Sequence, residues 1–122
     1  MELIENGERT GRFTDAGFWS ALDAETGTIL WQTPDPNVVS DQGAVTIANR
    51  VVFAGSLAGG HDDSTFFALD AVSGDILWEF ASGGSVNAGA AVVDGTVYWG
   101  SGYGRLRALG SGNDKLYAFE IR

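Results

Sequence analysis

Several features that would indicate particular functions are missing from this sequence of 122 residues. It contains no cysteine, which excludes disulfides, thiolate zinc sites and a thiol nucleophile. Lys and Arg number only 7 against 16 Asp and Glu, and the absence of a basic stripe disfavours binding to nucleic acid or anionic membranes. No window approaches about 18 uninterrupted apolar residues, so no transmembrane helix is expected. The first twenty residues lack the basic start and apolar run of a secretory signal.

Proline is also scarce, with 2 residues, whereas glycine is abundant, with 18. Apolar residues make up 44% of the chain and charged residues 19%, which excludes an intrinsically disordered protein. High glycine content combined with many valines and few lysines indicates short strands and frequent tight turns. The sequence therefore predicts an all-β protein and excludes a helical bundle.

An internal repeat organises most of the chain. Residues 19–31 match residues 66–78 at an offset of 47, and residues 43–53 match residues 89–99 at an offset of 46. A weaker similarity aligns residues 116–119 with residues 66–69. A strand-rich period of this length is typical of a β-propeller, whose blades are four-stranded antiparallel sheets.

The repeat contains the pattern Asp-Ala-x-x-Gly-x-x-x-Trp twice. Its aspartates can accept hydrogen bonds from turn amides, its glycines can adopt a positive φ, and its tryptophans would cover the space between blades. These properties predict a structural blade motif rather than a catalytic one. Its members are Asp23, Gly27, Trp31, Asp70, Gly74 and Trp78.

The repeat boundaries predict a partial propeller of about two and a quarter blades. We expect an irregular N-terminal segment over residues 1–17 and the outer half of a truncated blade over residues 18–42. A complete blade is expected over residues 43–82, and a last blade without its outer strand over residues 83–122.

This division gives nine strands and leaves blade edges open. We therefore expect a fragment of a longer chain, truncated at its N-terminus and with a natural C-terminus. A tenth strand would arise if Leu3–Ile4 or Arg12–Phe13 were extended, and two copies would then make five blades.

The repeat resembles the tryptophan-docking motif of pyrroloquinoline quinone (PQQ) propellers. Residues 84–104, followed by residues 113–119, are similar to the last blade of polyvinyl-alcohol-dehydrogenase-like quinoproteins. The resemblance covers residues 17–122 and implies a ring of about eight blades.

This resemblance implies a periplasmic oxidoreductase in which PQQ, with a bound calcium, accepts hydride from an alcohol and passes electrons onward to a partner such as a cytochrome. The other blades of the parent propeller would be the main partner of this chain. Outer-membrane assembly lipoproteins are similar propellers without PQQ, so a non-enzymatic scaffold for protein–protein interaction is the alternative.

Candidate cofactor-binding residues lie where loops meet the inner strands. Asn87 and Ser85 enter the last blade, and their amide and hydroxyl groups can bind a quinone carboxylate or carbonyl. Tyr103 lies in a glycine-rich turn and can stack or hydrogen-bond, and Arg105 can pair with a carboxylate. Trp99 is a candidate stacking residue, although its alignment with Phe53 also fits blade packing. Each of the other candidates can instead have a purely structural role, such as a hydrogen bond to the local backbone or exposure of a charged group to solvent.

No catalytic residue and no metal site can be assigned from the sequence. The single histidine lies in the run His61-Asp62-Asp63. A histidine beside two carboxylates could act as a general base or form part of a metal site, but an exposed polar loop explains this run better. We expect the isolated chain to have little or no catalytic activity, because most of the funnel implied by the resemblance would lie outside it.

Overall fold

The computed structural model describes residues 1–5, 7–104 and 110–120 of the chain. In this part of the chain, no helix is long and apolar enough to cross a membrane. The described residues form eleven strands: β1 (Glu2–Glu5), β2 (Glu8–Phe13), β3 (Phe18–Leu22), β4 (Ile29–Pro34), β5 (Thr46–Ala48), β6 (Val51–Gly55), β7 (Phe66–Asp70), β8 (Ile76–Phe80), β9 (Ala91–Val93), β10 (Thr96–Ser101) and β11 (Lys115–Glu120).

The second and third sheets are antiparallel meanders. β5, β6, β7 and β8 lie side by side in chain order, and so do β9, β10 and β11. In the third sheet Val97 lies opposite Val92 on one neighbour and Phe119 on the other. One sequence repeat therefore corresponds to one sheet, as in the blades of a propeller.

The first sheet shows that the prediction of an irregular segment over residues 1–17 is wrong. β1 and β2 form a hairpin in which Glu5 lies opposite Glu8, and Gly7 has a φ of 78°. β1 pairs with β4 through Glu5 and Trp31, so the strand order of this sheet is β2-β1-β4-β3. The described residues thus contain eleven strands instead of nine.

Packing and hydrogen bonds hold this hairpin against β4. Leu3 is buried, and the amide of Ile4 donates to Oε1 of the buried Gln32 at 3.2 Å. The amide of Gly7 donates to the carbonyl of Leu30 at 3.1 Å. The hairpin extends the outer side of the sheet, and β3 remains an edge strand on the inner side.

The two Asp-to-Gly turns are built alike. Oδ1 of Asp23 accepts hydrogen bonds from the amide of Thr26 at 2.8 Å, and Oδ1 of Asp70 accepts them from the amides of Val72 and Ser73 at 2.7 and 2.9 Å. These backbone amides lower the pKa of both aspartates, since they stabilise the charged form. Four residues after each aspartate, a glycine adopts a φ of 71° or 79° and closes the turn.

Trp31 joins the first sheet to the second. Its indole Nε1 donates to the carbonyl of Ala71 at 3.0 Å, and only 4% of the residue is exposed. The ring lies against Gly74, where an added Cβ would be 2.6 Å from two ring carbons. Thr33 completes the contact by donating to the carbonyl of Gly74 at 2.6 Å. A glycine is therefore required at this turn for packing as well as for its positive φ.

The core fills the spaces between successive sheets, because alternate residues of each strand point to opposite faces. The first space contains Trp19, Trp31, Val52, Ala54, Phe67 and Leu69. The second contains Phe53, Phe66, Ala68, Val86, Ala90, Val97 and Trp99.

Candidate functional site

Four loops meet at one end of the three sheets, and we call this region the mouth. It comprises residues 35–45, 56–65, 81–90 and the described parts of 102–114. The amide of Val86 donates to the carbonyl of Ser56 at 2.8 Å, and the amide of Ser85 donates to the carbonyl of Ser111 at 2.9 Å. Loops from different sheets are thus hydrogen-bonded to one another at the mouth.

Ser85 is the hub of these contacts. Its hydroxyl lies 2.8 and 2.9 Å from the carbonyls of Leu57 and Ala58 and accepts from the amide of Ser111 at 2.7 Å. The residue is fully buried. These hydrogen bonds engage the hydroxyl both as donor and as acceptor, so Ser85 holds the loops together.

Asn87 and Tyr103 line the same cleft at the mouth. The cleft has a volume of about 430 Å³. Oδ1 of Asn87 is buried, yet it has no hydrogen-bond partner among the residues that the structure describes. A buried oxygen without a donor is uncommon in folded proteins and is a reason to look for a ligand. The remaining lining residues are Ser85, Ala88, Gly100, Ser101 and Gly102.

Gly102 lets two loops approach closely beside this cleft. It has a φ of 120°, and an added Cβ would overlap the carbonyl oxygen of Asn113. Its amide and that of Tyr103 both donate to the carbonyl of Ser85, at 2.9 and 3.0 Å. Backbone contacts therefore fix Gly102 and Tyr103 beside Ser85, at the cleft that Asn87 also lines.

Trp99 is not positioned to stack on a cofactor, and its inclusion among the cofactor-binding candidates is wrong. Only 1% of the residue is exposed, and its ring stacks on Phe66 with centroids 4.4 Å apart. Its Nε1 donates to the carbonyl of Ala88 at 2.7 Å. Trp99 therefore belongs to the core between the second and third sheets, although this hydrogen bond also supports the loop that carries Asn87.

The remaining sequence candidates are Arg105 and His61. Arg105 lies outside the described residues. His61 is exposed and bonds only its neighbour, with Nδ1 3.0 Å from Oδ1 of Asp62, while Asp63 accepts from the amide of Gly60. Among the residues that the structure describes, no group of three or more His, Cys, Asp or Glu side chains could hold a metal ion.

A carboxyl pair at the mouth was missed by the sequence analysis. Asp35 is buried and accepts hydrogen bonds from the hydroxyl of Ser56 at 2.5 Å and from the amide of Asn37 at 2.7 Å. Both carboxyl oxygens of Asp41 are buried, and no described residue gives them a hydrogen bond of good geometry. Burial, and then the charge of Asp35, raise the pKa of Asp41 to about 8, and the amide of Leu57 offsets only part of this. Asp41 is therefore largely protonated at neutral pH, and its proton can be shared with Asp35.

Asp41 and Asn87 occupy matching positions in the repeat. The offset of 46 that aligns Gly43 with Gly89 also aligns these two residues. Each has a buried side-chain oxygen for which the described residues offer no hydrogen bond of good geometry. The loop that enters the inner strand thus carries such an oxygen in both repeats.

Comparisons with known proteins match this chain to propeller proteins. The family model described as outer membrane protein assembly factor BamB matches residues 10–117. The outer membrane protein assembly factor BamB of Yersinia pestis is 30% identical over 97 residues, which cover 76% of this chain and 25% of that protein.

A solved structure, that of a europium-containing methanol dehydrogenase, superposes with a TM-score of 0.56 at 18% identity, covering 98% of this chain and 24% of that one. At this identity the likeness shows the fold alone, and it confirms the predicted all-β partial propeller. The chain spans about a quarter of the length of these proteins.

Proposed function

Because the chain belongs to the family of PQQ-type propeller repeats, we propose that it forms blades of a periplasmic quinoprotein alcohol dehydrogenase and contributes to its cofactor-binding mouth. Asn87 carries the proposal, since it lines a cleft together with Tyr103 and no group among the described residues donates to its buried Oδ1. The sequence resemblance to polyvinyl-alcohol-dehydrogenase-like quinoproteins covers this same loop.

The cleft has groups that fit part of a PQQ molecule. PQQ supplies the redox chemistry when bound, and the protein has to hold and orient it. The Asn87 amide can donate from Nδ2 to a carboxylate or quinone carbonyl. Its unpartnered Oδ1 is the kind of ligand that calcium prefers. The described residues lack a cluster of carboxylates that could complete a calcium site, so other blades would have to supply its remaining ligands.

Nuclear magnetic resonance can locate PQQ on the 122-residue chain. On titration with PQQ, we expect shifts in the side-chain amide of Asn87, the ring of Tyr103 and the amide of Gly102. Shifts confined to other surfaces, or none at millimolar PQQ, would contradict the proposal. Because the cofactor sites of propellers combine loops from many blades, we expect binding to be weak and alcohol turnover to be absent.

A non-enzymatic scaffold is the second candidate. The sequence relative that is 30% identical is named an outer membrane protein assembly factor, which favours a role in binding other proteins. On this hypothesis the cleft beside Asn87 would contact a polypeptide rather than a quinone. Absence of PQQ-induced shifts at the mouth of a folded chain would favour this candidate.

A further inference from the structure

A short segment of the mouth carries Asp41 and has no regular secondary structure. We call residues 38–42 the flap; they lie between β4 and β5. Val38, at its start, is 72% exposed and has a φ of 57°, a left-handed conformation that β-branched side chains disfavour. The flap therefore gains little from burial at this end, and its closed position depends on the contacts of its other residues.

Two contacts hold the flap against the segment that precedes β3. The amide of Gly17 donates to the carbonyl of Val39 at 2.7 Å. Gly17 also lies so close to Asp41 that an added Cβ would be 2.6 Å from both the amide nitrogen and Oδ2 of that residue. The closed flap therefore presses the carboxyl group of Asp41 against the backbone, where its oxygens are shielded from solvent.

In the part of the chain that the structure describes, no positively charged group acts on Asp41. The segment before β3 presents the backbone of Gly17, and the loop after β6 presents the amide of Leu57. The charged side chain beside Asp41 is Asp35, which is itself buried and bonded to the hydroxyl of Ser56. Two like charges buried side by side are unfavourable, so the closed flap requires a proton on this pair.

We propose that the flap responds to pH: it is closed while Asp35 and Asp41 share a proton, and it opens once that proton is lost. On opening, Asp41 becomes solvated, whereas Asp35 keeps its hydrogen bonds from Ser56 and Asn37. The open flap also releases the left-handed conformation of Val38, which favours opening.

The flap is connected to the cleft that Asn87 lines. Gly43 directly follows the flap, and an added Cβ at Gly43 would be 2.9 Å from the carbonyl oxygen of Asn87. Movement of the flap therefore changes the packing on one side of Asn87. An effect of pH on cofactor binding would rest on the proposed function, whereas the movement of the flap does not depend on it.

Amide hydrogen exchange at several pH values, corrected for the intrinsic pH dependence of exchange, tests the flap in the unaltered chain. The pKa of Asp41 is about 8 in the closed flap, against an ordinary value of 3.8 when the group is solvated. Opening therefore releases one proton between these values, and protection of the Gly17 amide should fall about tenfold per pH unit up to pH 8 and then level off. The amide of Val86, which donates to Ser56 in another part of the mouth, is the reference and should stay protected.

Matched variants separate the carboxyl group from its surroundings. Asp41→Asn stays neutral, so the Gly17 amide should remain protected at every pH. Asp15→Asn removes an exposed carboxyl group two residues from Gly17 and should keep the response of the wild type. Gly17→Ala should hold the flap open at every pH, because its methyl group would overlap Asp41, whereas Gly100→Ala, where nothing lies within 4 Å, should not.

The side-chain amide signal of Asn87 should shift with the same pH midpoint as the protection of Gly17, and should not do so in Asp41→Asn. Constant protection of Gly17 over this pH range, the same pH response in Asp41→Asn, or equal exchange of the Gly17 and Val86 amides would overturn the proposal. A signal of Asn87 that does not follow the flap would overturn its connection to the cleft. These readouts involve no quinone, so their failure would leave the proposed function standing.

Discussion

At the scale of single residues, the unusual groups of this protein are polar oxygens buried at the mouth. Asn87 and Asp41 have such oxygens at matching repeat positions. Ser85 shows the opposite arrangement, since its hydroxyl and backbone are fully engaged in joining three loops. In the part of the chain that the structure describes, the mouth therefore combines a hydrogen-bonded frame with two buried side chains whose oxygens have no hydrogen bond of good geometry.

The raised pKa of Asp41 makes stability depend on pH. Its folded-state pKa is about 8 and its unfolded value is near 3.8, so the folded state binds the extra proton between these values. Stability should therefore fall as pH rises from about 4 to 8 and change little from this group above that. Asp41→Asn should flatten this part of the profile and raise the melting temperature at pH 8. Thermal unfolding at several pH values measures this, with Asp62→Asn as an exposed control. Identical profiles for the wild type and Asp41→Asn would contradict the assignment.

Ser85→Ala should destabilise the chain by about 1 to 3 kcal/mol, because the amide of Ser111 would lose a buried acceptor. Chemical denaturation measures the change, and Ser40→Ala at an exposed position of the mouth serves as the matched control. Equal stability of the two variants would show that Ser85 does not hold the loops together.

At the scale of secondary-structure elements, the strands are defined by turns. The Asp-to-Gly turns fix where β3 and β7 end, and the Trp31–Gly74 contact then joins one sheet to the next. Gly27 and Gly74 have similar positive φ values, yet only Gly74 has a neighbour where a Cβ would lie. Substitutions at these two glycines therefore separate two losses of folding stability, one from the backbone conformation and one from the contact with Trp31.

Gly27→Ala should cost about 1 to 2 kcal/mol of stability through its left-handed backbone alone. Gly74→Ala should cost about 1 to 3 kcal/mol more, because its methyl group would press on the indole of Trp31. Denaturant unfolding of both variants, followed by intrinsic tryptophan fluorescence, tests the difference. Equal losses would mean that the tryptophan contact between sheets contributes nothing to stability.

The sequence predicted elements where local signals and long-range packing agree. The 47-residue repeat located β3, β4, β7 and β8, because each turn makes its own hydrogen bonds. The hairpin of β1 and β2 was missed although Asn6-Gly7 is a strong hairpin signal, since the segment has no counterpart in the repeat.

The site was predicted in part for the same reason. Asn87 and Tyr103 could be placed at the mouth from strand ends, whereas the burial of Asp41 beside Asp35 depends on how two loops fold over each other. No local sequence pattern predicts that packing of the two loops.

At the scale of the whole molecule, the described residues form three sheets and leave two apolar faces open, one between the first and second sheets and one on the third sheet. Val45 and Ile47 are exposed in a groove beside the free edge of β3, and Val93, Tyr98 and Leu116 are exposed on the third sheet. In a propeller such faces are covered by neighbouring blades. Their position on this chain agrees with its covering about a quarter of the relatives' length.

The isolated chain should therefore self-associate through these faces. Ile47→Lys and Leu116→Lys should each reduce association, because each places a charge on an open face. Sedimentation velocity over a range of concentrations measures this. Val72→Lys, at an exposed turn outside these faces, is the matched control and should change little. If Val72→Lys reduced association as much as the other two, net charge rather than the open faces would be responsible.

The central claim is that the mouth beside Asn87 binds a quinone cofactor, and the most direct measurement is the affinity of PQQ for matched amide-to-acid variants. Asn87→Asp replaces the Nδ2 donor with a negative charge in the cleft, and Asn49→Asp makes the same change in a turn between β5 and β6. In saturation-transfer titrations without calcium, PQQ should bind Asn87→Asp about tenfold more weakly than the wild type, and Asn49→Asp should match the wild type. Equal binding to all three proteins would contradict the claim.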